Sequence, residues 1–160
     1  MGDFTLAQLE AFIVAAKAAT YVGSGKKSLS YRPASHDLQF HDGPFSYLDS
    51  YFGGTDFLGQ EVVYHDSAPV WAMNYYGRIL EMARIDAADA GQVIQQSLSK
   101  LYEQGRFLGG WKHSTDLGTY VDTNEGDVAS FTGVEWITRE VDGKDVRVYE
   151  LVYHGGLIKE

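Results

Sequence analysis

The sequence predicts an α+β fold: a duplicated α-β4 unit, with two helices packed on antiparallel sheet. Three observations lead there. The chain nearly repeats itself: Phe57-Leu-Gly59-Gln-Glu61-Val-Val63 leads to Val70-Trp71-Ala-Met73-Asn-Tyr75-Tyr-Gly77, and Phe131-Thr-Gly133-Val-Glu135-Trp-Ile137 leads to Val148-Tyr149-Glu-Leu151-Val-Tyr153-His-Gly155. A Tyr-x-Asp pair precedes each copy, Tyr47 with Asp49 and Tyr120 with Asp122. Helical patterning followed by dense strand patterning occurs twice, and the longer connection in the second copy adds an even number of residues, which keeps every side chain on its original face.

The elements follow in order. Thr5 with Gln8 three residues later is a capping box, and Leu6, Leu9, Ile13 and Ala16 then share one face until Gly23. Gly23-Ser-Gly-Lys-Lys-Ser28 reads as a polar loop without the spacing of a phosphate-binding loop. From Leu38 to Ile79, alternation rich in Tyr, Phe, Val and Trp predicts antiparallel strands, broken by turns at Asp42-Gly-Pro44 and Gly53-Gly54 and by a loose connection over His65-Asp-Ser-Ala-Pro69. Asp86 and Asp89 open a second helix that turns Ala90, Val93, Ile94, Leu98 and Leu101 inward and stops at Gly105. Further strands run from Phe107 to Ile158, with Asp142-Gly143 as a type I′ hairpin turn. The expected organisation is one domain of two repeats, approximately 1–80 and 81–160.

Composition narrows the function. With 160 residues and 44% hydrophobic content the chain is long enough to bury its own core. It has no cysteine, which excludes disulfides, thiolate metal sites and cysteine nucleophiles and suits a reducing compartment. The longest early apolar stretch, Ala11 to Ala16, is too short to span a bilayer, and no signal-peptide pattern is present, so a cytoplasmic protein without membrane association is expected. A net charge of -9 argues against direct nucleic-acid binding. The five histidines show no compact metal-ligand spacing, no serine sits in a nucleophile elbow, and neither metal nor cofactor is expected.

Strand alternation puts Phe57, Gly59, Glu61 and Val63 on one face, and likewise Phe131, Gly133, Glu135 and Ile137. Each glutamate then sits among aromatics and needs donors, for which Arg32, Arg106, Tyr47, Tyr75, Tyr120 and Tyr153 are candidates. Gly59 and Gly133, inside strands, mark a bulge or the close approach of another group.

Several motifs together carry a family resemblance: Thr20-Tyr21, Ser30-Tyr-Arg32-Pro33-x-Ser35-x-Asp37, Tyr47-x-Asp49-x-Tyr51-x-Gly53-Gly54-x-x-Phe57-x-Gly59-x-Glu61 and Trp71-x-Met73-Asn74-Tyr75-x-Gly77. Arg106, Gly126-Asp127 and the Phe131 and Val148 segments extend it over nearly the whole chain. The chain resembles a bacterial family of unknown function often found as the C-terminal part of Xre-type helix-turn-helix regulators. No activity comes with that resemblance; association with a DNA-binding domain implies, by analogy, a unit that senses a ligand or partner.

Three functions are therefore expected to compete. The leading one is small-molecule binding or sensing by an acidic, aromatic cleft, with Arg32, Asp37, Tyr47, Asp49, Trp71, Tyr75, Arg106, Tyr120 and Tyr153 as ligand-binding candidates. The second is a hydrolase or lyase with Glu61 and Glu135 as a catalytic acid/base pair sharing one cleft. Against it stands the possibility that each glutamate only accepts structural hydrogen bonds. The third is a protein-interaction module with an exposed aromatic patch. Arg32 either grips an anionic ligand or pairs with Asp37 or Asp49 to pin its loop.

Overall fold

A computed structural model describes residues 3–22 and 29–159. The polar loop expected at 23–28 lies outside the described residues. Helix α1 spans Leu6–Lys17 and starts with the expected box, since the Thr5 side chain accepts from the Gln8 N–H while the Gln8 side chain accepts from Thr5 N–H at 2.7 Å. The helix does not stay regular to Gly23. It passes into a π-helical turn, Ala18–Val22, where the Thr20 hydroxyl donates back to the Ala16 carbonyl at 2.7 Å and competes with the backbone ladder. Strands β1 (His36–Asp42), β2 (Phe45–Gly53), β3 (Phe57–His65) and β4 (Ala68–Ile79) follow. Helix α2, Ala87–Tyr102, is capped by Asp86, whose side chain accepts from Asp89 N–H. Strands β5 (Trp111–Thr115), β6 (Gly118–Asp127), β7 (Ser130–Val141) and β8 (Lys144–Leu157) complete the chain.

All eight strands form one antiparallel sheet in the order β1-β2-β3-β4-β8-β7-β6-β5. Two meanders thus join along β4 and β8, where Tyr75 lies opposite Tyr153. Asp142 and Gly143 have φ of 51° and 75°, as a type I′ turn requires. The β3–β4 connection is tighter than expected. Asp66 and Ser67 also take positive φ, 49° and 68°, so a two-residue turn forms without glycine, and Pro69 is accommodated in β4 beside a register shift at Val63/Tyr64. A matching shift falls at Ile137/Thr138.

Both helices cover the same face of the sheet, α1 over β1 and β2 and α2 over β5 and β6. Leu9, Phe12 and Ile13 of α1 and Val93, Ile94 and Leu101 of α2 are buried against Val63, Trp71, Ile137 and Val148. The side chain of Trp71 is fully buried, donates its Nε1–H to the Val128 carbonyl at 3.0 Å and stacks on Phe131, so it belongs to the core rather than to an open surface. On the other face the segment 29–35 covers part of β1 and β2, while Leu58, Tyr76 and Val152 stay exposed.

Candidate functional site

Alternation along β2, β3, β6 and β7 aims four carboxylates at the helix-covered face. Asp49 lies opposite Glu61, and Asp122 opposite Glu135. All are buried, at 0%, 1%, 4% and 8% exposure, so each needs partners or a proton. The partners differ. Glu61 is held by Lys17, whose Nζ lies 2.7 Å from Oε1 and 2.6 Å from Oε2. Glu135 accepts from the Tyr120 hydroxyl at 2.5 Å and the Tyr149 hydroxyl at 3.1 Å. Asp122 accepts from Tyr153 at 2.6 Å through Oδ1 and from Asn124 at 3.4 Å through Oδ2. Asp49 accepts from Tyr75 at 2.6 Å through Oδ1, but its Oδ2 has no hydrogen-bond partner.

The glycines explain how two of these tyrosines reach their aspartates. Gly59 lies opposite Tyr75, and Gly133 opposite Tyr153. A Cβ at either glycine would collide with the tyrosine's hydroxyl end, so the missing side chain is the space through which the ring crosses the neighbouring strand. Neither glycine is itself at a register shift; of the two expectations, close approach is the one realised.

The candidates from the sequence do not all meet here. Tyr47, Asp49, Tyr75, Tyr120 and Tyr153 share the helix-covered face with both glutamates, and the Tyr47 hydroxyl is fully buried beside Glu61. Arg32 and Asp37 lie on the opposite face. Arg32 donates to the Ser50 carbonyl and hydroxyl, both at 2.8 Å, its guanidinium covers Phe52, and Ser50 donates to Asp37 at 2.7 Å, so this group ties segment 29–35 to the sheet. Arg106 donates to the carbonyls of Leu108 and Gly110 and braces that loop against Trp111. Among the described residues, neither Arg32 nor Arg106 hydrogen-bonds a glutamate. Two partners were missed by sequence reasoning: Lys17, which continues the inward stripe of Leu9 and Ile13 at four-residue spacing, and Tyr149, which alternation places beside Leu151.

Burial dominates the electrostatics. It pushes Asp49 up to about 7, helped by the Glu61 charge and opposed by the Tyr75 hydrogen bond and Lys17. It also pushes Glu135 up to about 7 against the hydrogen bonds of Tyr120 and Tyr149. Asp122 is raised by burial, with Tyr153, Asn124 and Arg106 opposing. At Asp37 burial is outweighed by hydrogen bonds from Ser50 and the Tyr31 backbone, and the carboxyl titrates below its ordinary range.

Two cavities touch this face. A small one of about 50 Å³ lies among Lys17, Glu61, Tyr102, Asp122, Glu135 and Leu151. A cleft of about 880 Å³ opens between the first meander and the N-terminal half of α2, lined by Asp49, Tyr51, Phe57, Tyr75, Gly91 and Tyr149 among others. Among the described residues no group of three His, Asp or Glu side chains could hold a metal ion, and no helix is long and apolar enough to cross a membrane.

Fold and site define an α+β protein, an eight-stranded antiparallel sheet with both helices on one face and a carboxylate-floored cleft beneath the second helix. The chain belongs to the family described as Domain of unknown function (DUF5680), whose model matches residues 49–158. No curated protein and no solved structure matches it.

Proposed function

We propose that the chain is a small-molecule-binding domain whose ligand sits in the cleft between β1–β4 and α2. The observation that carries this reading is the cleft itself: about 880 Å³, within the roughly 300–1,000 Å³ range of small-molecule sites, with aromatic walls and one buried carboxylate. The resemblance to domains fused to bacterial Xre-type regulators supports a sensing role in the cytoplasm. In the same reading the two helix-plus-meander halves are copies of one unit; the paired registers Asp49/Glu61 and Asp122/Glu135, and Gly59/Tyr75 and Gly133/Tyr153, support it.

A paired-glutamate acid/base site draws less support. The cavity that touches both glutamates holds only a few waters at about 50 Å³, and Lys17, Tyr120 and Tyr149 already engage their oxygens. An interaction module draws on a different observation, the ladder of exposed apolar side chains Phe52, Leu58, Tyr76 and Val152 in successive cross-strand pairs on the helix-free face.

A thermal-shift screen of a metabolite library tests the leading reading with Gly91→Trp as the control. Gly91 lines the cleft and a Cβ there meets open space, so the indole fills the cleft without displacing core. Hits that stabilise the parent and not the variant are expected. Hits that persist undiminished in the variant would remove the cleft from consideration.

A further inference from the structure

The chemistry at the floor of the cleft says what the polar end of its ligand must be. Asp49 and Asp122 occupy matching register positions, each opposite a glutamate and each bonded through Oδ1 by a tyrosine from across a glycine. Their second oxygens differ. Asp122 Oδ2 receives Asn124, the residue opposite Gly133, whereas the residue opposite Gly59 is Tyr51, and Asp49 Oδ2 receives nothing. Asp49 therefore lacks one donor that its counterpart has, and its fully buried side chain is among those lining the cleft. Lys17, whose charge acts on Asp49, is committed to Glu61 with both oxygens within 2.7 Å.

The surroundings select a donor that carries positive charge. The described residues lining the cleft include no lysine or arginine, and their one basic side chain, His36, packs its ring against Tyr51. Tyr51, Phe57, Tyr75 and Tyr149 line the cleft, and aromatic rings accept cations as well as apolar bodies. The amino end of α2 reaches the cleft at Ala87 and Ala88, but its partial positive charge is compensated by the Asp86 cap and by Asp89 in the first turn. An anion in the cleft would face Asp49 with Glu61 directly behind it.

We propose that the cleft takes an organic ammonium, a primary amine on an aromatic or apolar body, which donates an N–H to Asp49 Oδ2 and rests against the tyrosine rings. This rests on the small-molecule reading of the cleft. It assigns Asp49 as the charge-recognising residue, Tyr75 as the residue that orients it, and Tyr51 as the residue whose identity leaves Oδ2 open for a ligand.

Calorimetric titration with matched probes tests it. Phenethylamine, tyramine and 3-phenylpropylamine supply the ammonium; 2-phenylethanol and phenylacetate keep the aromatic body with neutral or negative ends. At least one amine is expected to bind at least tenfold more tightly than the alcohol and carboxylate, and to lose at least tenfold in affinity with Asp49→Asn. Tyr51→Asn is the second variant: it supplies the amide that Asn124 supplies to Asp122 and should compete with the amine, while Tyr51→Ala removes the same ring without supplying a donor and should lose less affinity than Tyr51→Asn. If no amine binds, or if either variant Asp49→Asn or Tyr51→Asn retains full amine affinity, the ammonium assignment is overturned. If the alcohol or the carboxylate binds as well as the amine and Gly91→Trp abolishes that binding, the ammonium fails while the cleft reading survives. Probes that bind Gly91→Trp unchanged would overturn both.

Discussion

Replacing Gly133 with alanine adds one methyl group, and the structure says that it lands on the ring and hydroxyl of Tyr153. Tyr153 is only 8% exposed and sits against Phe131, so its ring has nowhere to retreat without repacking. Overpacking of this kind costs about 1–3 kcal/mol. Moving the ring also breaks the 2.6 Å bond from the Tyr153 hydroxyl to Asp122, a buried acid left then with the 3.4 Å contact from Asn124; a hydrogen bond to a charged group is worth about 1.5–3 kcal/mol. The two together come to about 2.5–6 kcal/mol, and at roughly 2–4 °C per kcal/mol for a chain of this size the melting temperature should drop by about 5–24 °C. Gly91→Ala is the contrast. Its Cβ meets open space in the middle of α2, and it should gain up to about 1 kcal/mol from helix propensity. A double-mutant cycle separates the steric cause from any other: in a Tyr153→Ala background, where the ring is gone, Gly133→Ala should cost less than about 1 kcal/mol. A Gly133→Ala variant that melts with the parent, or that costs as much without the Tyr153 ring as with it, would refute the reasoning.

Lys17→Met strands Glu61 as an unpaired buried carboxylate and should cost about 3–5 kcal/mol in denaturant unfolding, while adding Glu61→Gln should recover most of that loss. Asp49 and Glu135 titrate near 7 when folded against 3.8 and 4.5 ordinarily, so between about pH 4 and 7 the folded chain binds more protons than the unfolded one; stability should therefore fall as pH rises through that window, by on the order of 3 kcal/mol per group. Asp37 and Glu150, held low by their hydrogen bonds, act in the opposite sense only below about pH 4, which puts the optimum near pH 4. Melting curves that show higher stability at pH 8 than at pH 5.5, or a slope that Asp49→Asn with Glu135→Gln leaves intact, would contradict this.

The elements with local signals were legible before any coordinates. Thr5 and Gln8, Asp86, and Asp142-Gly143 each act within a few residues, and strand alternation correctly gathered Glu61 and Glu135 with their aromatic neighbours. The β3–β4 turn was hidden because Asp66 and Ser67 adopt positive φ without the glycine that usually announces it. The placement of Arg32 and Asp37 was hidden for a different reason. Period two says that Asp37 and Leu38 point to opposite faces, but only the packing of segment 29–35 decides which face Arg32 joins. Lys17 lay in plain sight on the inward stripe of α1; a charge there is read as solvated until a buried partner such as Glu61 is known. The β4–β8 pairing that joins the two meanders, and so sets Tyr75 opposite Tyr153, depends on contacts nearly eighty residues apart and has no local signature.

The cleft as a ligand site is tested most directly by chemical-shift mapping on the isotopically labelled full chain, titrated with fragment mixtures spanning amines, alcohols and carboxylates. The account predicts that at least one fragment moves the resonances of Tyr51, Tyr75, Gly91, Gln92 and Tyr149 together, saturably and with little change elsewhere. Shifts confined to Leu58, Tyr76 and Val152 on the helix-free face, or no fragment that moves the cleft resonances, would contradict it.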